Sequence, residues 1–316
     1  MTVDDIIRFI KANQHFAVTS HSRPDGDAIG SSLGLALALE ELGKTAHVFN
    51  ADPHPRRYDF LPEVETIRVT DRVEGDYDGL FVLECNDLDR PQLANMERYC
   101  VVNIDHHPST KSFGHLNWLD PAAAAVGEMI YYLIRGLCVP LTPAIATNIY
   151  VAIMTDTGSF QFSNTHAKTF QIVGDLANSG ANPSAIAQSV YMNQSQARIR
   201  LLGMLLNTLE LHTQGKIATI SLTQNMLDTT GADADDLEGI VTYALSVEGV
   251  LLAAFLREES SARYRVSLRS KDHYDVAAAA ETFGGGGHRN AAGLMLEGNF
   301  DEVSGKVIAE LEKLLR

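Results

Sequence analysis

Short apolar runs that each stop at a polar cluster constrain this chain more than any other feature. Residues 100–104 read Cys-Val-Val-Asn-Ile and end in Asp105-His106-His107, the run at 15–20 ends in His21, and the run at 78–83 ends in Glu84. Apolar runs this short suit strands buried on both faces of a sheet. Helical patterns lie around them at 4–13, 32–42, 120–137 and 143–154, with a further strand at 45–50. Strands alternating with helices predict a parallel, helix-covered sheet whose ligand site lies at the carboxyl ends of the strands.

The clusters carry groups that bind metals or move protons. In His21-Ser22-Arg23-Pro24-Asp25-Gly26-Asp27, Pro24 and Gly26 force a turn that gathers His21, Asp25 and Asp27 at one mouth and turns helix N-terminal amides toward an anion. Capping alone would need one acid and leaves the second acid and the histidine unexplained. Asp156 lies in Thr155-Asp156-Thr157-Gly158-Ser159-Phe160, and this cluster, like 284–288 later in the chain, is expected at a strand end. The candidate ligands are thus His21, Asp25, Asp27, Glu84, His106 and Asp156, with His107 beside them. Carboxylates and imidazoles without thiolate favour Mn²⁺ or Mg²⁺ over structural zinc, and four carboxylates with two histidines suffice for two ions. Two-metal centres activate water at neutral pH and stabilise in-line displacement at phosphorus.

Beyond Asn182-Pro183 the periodicity predicts a helix over 185–211, with Ile199, Leu202, Leu205, Leu206 and Leu209 on one face. Residues 189–212 are expected to be a helical linker between a domain at 1–188 and a smaller α/β domain at 213–316. Strands are expected there at 217–223, 250–257 and 264–269, and helices near 236–246 and 301–315. Around the last strand, Arg263, Arg265, Ser267 and Arg269 fall on one face at period two, opposite Tyr264, Val266 and Leu268. The glycine run Gly284-Gly285-Gly286-Gly287 ahead of His288 has no Cβ atoms, so a loop there lets backbone amides approach a phosphate or base closely.

The chain has 316 residues, 45% hydrophobic and 21% charged, with a formal net charge of −15. That charge excludes broad electrostatic binding of long nucleic acid, yet allows a small anion in a locally positive pocket. Cys85, Cys100 and Cys138 show no CxxC spacing and are expected to be buried packing residues. With no apolar run long enough to cross a bilayer and no cleavable apolar segment at the start, a cytoplasmic protein is expected.

Together these motifs resemble the DHH/DHHA1 phosphoesterase family, most closely its bacterial nanoRNase branch that also acts on 3′-phosphoadenosine-5′-phosphate (pAp). The resemblance covers essentially the whole chain from His15 onward. It rests on His21-x-x-Pro24-Asp25-x-Asp27-Ala28-x-Gly30-Ser31, Asp105-His106-His107, Thr155–Phe160, Ser267-x-Arg269-Ser270 and Gly284–His288. It implies a Mn²⁺-dependent phosphodiesterase with two ions per chain, Mg²⁺ or Co²⁺ being alternatives. One ion would be held by His21 and Asp25 and the other by Asp27, His106 and Asp156, with a bridging carboxylate. Asp105 and His107 would be catalytic, His107 as proton carrier or phosphate ligand. Arg263, Ser267, Arg269, Ser270, Gly285, Gly286, Gly287 and His288 would bind substrate. The partners implied are dinucleotides, short RNA and pAp, with no membrane and with a homodimer allowed. Glu84 stands where the family usually has aspartate, and Asp87 is the alternative bridge. A cyclic-dinucleotide phosphodiesterase, a pyrophosphatase of the same superfamily, and a nucleotide-binding protein without turnover stay open.

Overall fold

The computed structural model describes residues 3–316, apart from the side chain of His288, which lies outside the described residues. The chain forms two compact units, the second spanning Gln194–Arg316. Among the described residues no helix is long and apolar enough to cross a membrane.

The first unit contains α1 (Val3–Ala12), β1 (His15–Thr19), α2 (Gly26–Glu41), β2 (Thr45–Asn50), β3 (Arg68–Val69), β4 (Gly79–Leu83), β5 (Val101–Asp105) and β6 (Leu116–Leu119). These are followed by α3 (Val126–Gly136), α4 (Pro143–Asp156), α5 (Ala167–Asn178) and α6 (Pro183–Tyr191). Its six strands are all parallel, in the order β3-β2-β1-β4-β5-β6. The chain runs outward to one side from β1 and to the other from β4. The switch point therefore lies between those two strands, where a doubly wound sheet opens a crevice at its carboxyl edge.

Side chains alternate across this sheet. Phe16, Val18, Phe81, Leu83, Val102 and Ile104 enter a large core with α1 to α4, while Ala17, Leu80, Val82 and Val101 pack under Val73, Leu93, Met96 and Tyr99. Helices thus cover one face and irregular chain much of the other, so the sheet is less evenly helix-covered than expected. Cys138 is exposed, in contrast to the expected buried thiol.

Helix α2 begins at Gly26, six residues before the expected start, because Gly26, Gly30 and Gly34 are packing positions and not breakers. An added Cβ would lie 2.4 Å from Thr155 Oγ1 at Gly26, 2.4 Å from Asn148 O at Gly30, and 2.5 Å from Ile149 Cδ1 at Gly34. Three glycines spaced by four residues line one face of a helix, and here that face lets α4 lie against α2. Asp156 is accordingly the last residue of a helix, not a residue at a strand end.

The second unit contains α7 (Gln196–Leu206), β7 (Glu210–His212), β8 (Ile217–Leu222), α8 (Gln224–Thr230), α9 (Ile240–Leu245), β9 (Leu252–Ser260) and β10 (Arg263–Ser270). It ends with α10 (Val276–Glu281), β11 (Gly286–His288), β12 (Ala291–Glu297) and α11 (Phe300–Leu314). The sheet order is β11-β12-β10-β9-β8-β7, antiparallel except for β8 against β9. The single helix expected over 185–211 is two helices. Leu201 and Leu205 of α7 are buried in the second unit's core, whereas Ile199 and Leu206 are exposed.

Candidate metal centre

At the carboxyl edge of the first sheet, β1, β4 and β5 end beside the starts of α2 and α3 and the end of α4. The Nδ1 of His21 lies 3.0 Å from Ser22 O. A carbonyl only accepts, so Nδ1 carries a proton and Nε2 is the nitrogen left to face a ligand. That Nε2 is 3.8 Å from Asp25 Oδ1 and 3.9 Å from Glu84 Oε2. Burial pulls the histidine's pKa down, but Asp25 and the Ser22 carbonyl together leave it raised.

Asp25 caps α2 through Ala28 N at 3.0 Å, so the capping role is real but involves only one acid. Asp27 sits in the first turn and binds a different helix: Val126 N donates to its Oδ2 at 2.6 Å and Gly127 N to its Oδ1 at 2.9 Å, with Ser31 Oγ at 2.7 Å. It thereby satisfies orphan amides at the start of α3 and fastens that helix to α2.

The Asp105-His106-His107 triplet divides its work. Asp105 is fully buried and accepts from His106 N at 2.8 Å, His107 N at 3.3 Å, His107 Nδ1 at 2.7 Å and the Thr110 hydroxyl. Its oxygens are occupied in holding the loop and orienting His107. His106 donates from Nδ1 to Ala123 O at 3.1 Å, and its Nε2 is 3.4 Å from Asp156 Oδ2.

Glu84 adopts a left-handed backbone, φ 57°, uncommon for a residue with a side chain and typical of functional sites that over-determine their geometry. Its Oε2 is buried with no hydrogen-bond partner. Burial first, then the charges of Asp25, Asp27, Asp156 and Asp105, push the Glu84 carboxyl well above the usual range. Asp156 is likewise pushed well up by burial and by Asp27 and Asp25, and Asp27 is raised by burial. Like charges crowded out of water require a cation or a proton.

Three groups of ligand atoms lie within 4.8 Å of one another: Glu84 with His106 and His107, Glu84 with Asp27, His106 and Asp156, and Glu84 with His21 and Asp25. Glu84 is common to all three and Asp87 to none. The donors are oxygens and imidazole nitrogens, and the orphaned Glu84 oxygen and crowded acids fit divalent cations.

In the second unit, β10 buries Tyr264, Val266 and Leu268 and leaves Arg263, Arg265, Ser267 and Arg269 more accessible. Arg265 faces Arg257 across the strands, and both lie near Glu259. Only half of the glycine run is a loop: Gly284 and Gly285 precede β11, whereas Gly286 and Gly287 belong to it. An added Cβ on Gly285 would meet Gly293 O at 2.3 Å, and on Gly287 it would meet Ala291 O at 2.4 Å, so both glycines permit close strand packing. Gly286 pairs with Gly293, which pairs with Ser267, and both Arg269 and the backbone of His288 pair with Ala291. Ser270, expected to bind substrate, faces the opposite side. It is buried, donates to Tyr274 O at 2.7 Å and accepts from Asn290 Nδ2 at 2.8 Å. Asn290 is a residue the sequence pattern missed.

Comparison with known proteins agrees with this geometry. Residues 15–153 match the DHH family N-terminal domain, and residues 214–315 match the DHHA1 domain. A Thermus thermophilus protein named bifunctional oligoribonuclease and PAP phosphatase NrnA is 37% identical over 305 residues, 95% of this chain and 90% of its own length. A Bacillus subtilis protein of the same name is 28% identical over 99% of this chain and 98% of its own. The crystal structure of an exopolyphosphatase-related protein from Bacteroides fragilis superposes with a TM-score of 0.92 at 28% identity, covering 98% of this chain and 95% of that one. With a domain match in each unit and relatives aligned nearly end to end, the chain belongs to the DHH/DHHA1 family of phosphoesterases.

Proposed function

We propose that this chain is a Mn²⁺-dependent phosphoesterase that hydrolyses short oligoribonucleotides, from dinucleotides such as pGpG and pApA up to pentamers, to mononucleotides, and that converts pAp to AMP. The observation that carries the reading is Glu84, one carboxylate within reach of every ligand group at the sheet edge. A shared carboxylate is what a pair of neighbouring cations requires. The substrate class rests on the names of the Thermus and Bacillus relatives.

In this reading His21 and Asp25 would hold one ion and Asp27, His106 and Asp156 the other, with Glu84 within reach of both groups. When bound, the ions supply an activated water and neutralise charge developing at phosphorus. His107, fixed through Nδ1 by Asp105, presents Nε2 to the substrate phosphate or its leaving oxygen. Arg269 and Ser267, with the bare backbone of Gly286 and Gly287, bind the substrate's phosphates, and Arg263 extends the cationic row. A local cationic row lets a chain of net charge −15 hold short anions while repelling long ones.

Purified protein with Mn²⁺ should be assayed against pAp, pGpG, an RNA pentamer, cyclic di-AMP, pyrophosphate and inorganic polyphosphate. Turnover of pGpG, the pentamer and pAp well above the rest is expected. Preference for cyclic di-AMP, pyrophosphate or polyphosphate would overturn the substrate assignment. Binding of pGpG without turnover would instead make Glu84 the mark of a nucleotide-binding protein.

A further inference from the structure

Three candidate ligands come from three different elements, yet all are tied to one short segment, 123–127, that leads into the first turn of α3. Ala123 O accepts from His106, and the amides of Val126 and Gly127 donate to Asp27. The third tie runs through Asn164. Its Nδ2 donates to Ala124 O at 2.8 Å and to Asp156 O at 3.2 Å, and lies 3.5 Å from Asp156 Oδ2. The last distance is long for a hydrogen bond, so the two carbonyls fix the amide, and the fixed amide faces the carboxylate. Three acceptors around one nitrogen also settle the amide's orientation, since the reverse would set oxygen against oxygen.

The turn after α4 makes this return possible. Gly158, Ser159 and Phe160 have φ of 55°, 59° and 67°, three successive left-handed residues that reverse the chain. Phe160 N donates to Thr157 Oγ1 at 3.1 Å and stabilises the reversal. Asp156 needs such support: it ends a helix, is 18% exposed, and faces other carboxylates that repel it toward solvent.

We infer that Asn164 is a positioning residue of the metal centre, a strut that fixes the Asp156 carboxylate to the same 123–127 segment that holds His106 and Asp27. The inference rests on the two-ion reading above. Its rival is that Asn164 only caps the last carbonyls of α4.

The test uses Asn164→Ala and the near-isosteric Asn164→Leu, which keeps the volume but removes the donor. Mn²⁺ binding to chelator-stripped protein is measured by titration calorimetry, alongside the metal-free melting temperature and the kinetics with pGpG. Wild type should take two ions. Each variant should bind one ion about 10–100-fold more weakly, the range typical of losing a ligand's supporting hydrogen bond, and hold the other as wild type does. The metal-free melting temperature should stay near that of wild type, and kcat should fall while KM changes little. Two ions bound by wild type and both held equally by the variants would refute the inference and spare the two-ion reading. Equal loss at both sites with a large drop in melting temperature, or failure of both variants to fold, would assign Asn164 to the fold and refute it too. A wild type that binds no ion would overturn the two-ion reading, and the inference with it.

Discussion

Replacing Glu84 by glutamine should move stability and metal binding in opposite directions. Without metal, the folded state holds the Glu84 carboxyl well above the usual carboxylate range, through burial and through Asp25, Asp27, Asp156 and Asp105. A carboxyl with a raised folded pKa binds its proton more tightly folded than unfolded, so the metal-free protein is most stable at low pH. That stability is lost as pH rises from the unfolded value through the folded one. Each unit of upward shift costs about 1.4 kcal/mol once the group is ionised. Glutamine has the same shape and no charge to desolvate, so the penalty disappears. For a unit of this size about 1 kcal/mol shifts Tm by roughly 2–4 °C. In EDTA at a pH above the usual carboxylate range, Glu84→Gln should therefore melt at least a few degrees above wild type, and the fall in Tm as pH rises from that range should flatten.

With Mn²⁺ the order reverses. An ion at about 100 times its dissociation constant adds roughly 2.7 kcal/mol to wild type, and the variant, lacking the one ligand common to all groups, forfeits most of that. Glu84→Asp keeps the charge but draws the oxygens back by about 1.5 Å, one carbon–carbon bond, so it should stay metallated with a changed rate or metal preference. Differential scanning fluorimetry with and without Mn²⁺, metal content per chain, and turnover together decide the matter. A Glu84→Gln protein that is fully metallated and active, or that melts lower in EDTA than wild type, would refute the reasoning. If Asp87→Asn proved lethal instead, the bridge would lie there.

Exhaustive EDTA treatment should abolish hydrolysis and Mn²⁺ should restore it; full activity after chelation would sink the metal reading. His107→Ala should lower kcat by about 10²–10⁴-fold with an unchanged circular dichroism spectrum, as expected for loss of a proton carrier held by Asp105. Arg269→Ala should raise KM for pGpG by the equivalent of about 1.5–3 kcal/mol, and unchanged kinetics would reduce the cationic row to solvated surface. Gly30→Ala drives a Cβ to 2.4 Å from the backbone oxygen of Asn148, so it should cost about 1–3 kcal/mol in thermal or urea unfolding and weaken Mn²⁺ binding by displacing α4.

The strands of the first sheet were legible because burial on both faces leaves an uninterrupted apolar signature, as at β4 and β5. The candidate ligands at their ends are legible because charged groups directly after such runs have few structural uses. The start of α2 was not, since Gly26 and Gly30 read as breakers until α4 shows what they accommodate. Helix α5 escaped notice too, being capped by His166 with Thr169 in place of a familiar Ser or Asp cap. Strands β6 and β12 were missed: β6 is only partly buried and β12 carries glycine and alanine, so neither shows a strong apolar alternation. The place of Ser270 in a motif conceals that its side chain faces inward. The support from Asn164 and Asn290 depends on chain reversals that no local periodicity records.

The protein's own hydrogen-bond donors are distributed unevenly among the buried acids, and that distribution shows which of them depend on metal. Asp105 takes two amides, an imidazole and a hydroxyl, and its pKa is lowered despite burial. Asp27 takes two amides and a hydroxyl, enough to satisfy most of its lone pairs without a cation. Glu84 Oε2 receives nothing, and Asp156 has only the distant amide of Asn164 and the edge of His106. Asp105 is framework, charged in order to hold its loop in place; Asp27 also fastens α2 to α3, but burial still raises its pKa. Glu84 and Asp156 are the groups whose ionisation the fold does not offset, and a divalent cation removes that cost by replacing repulsion with coordination. In the two-ion reading, folding of the first unit and metal loading would therefore be linked, the more strongly as pH rises and both groups ionise.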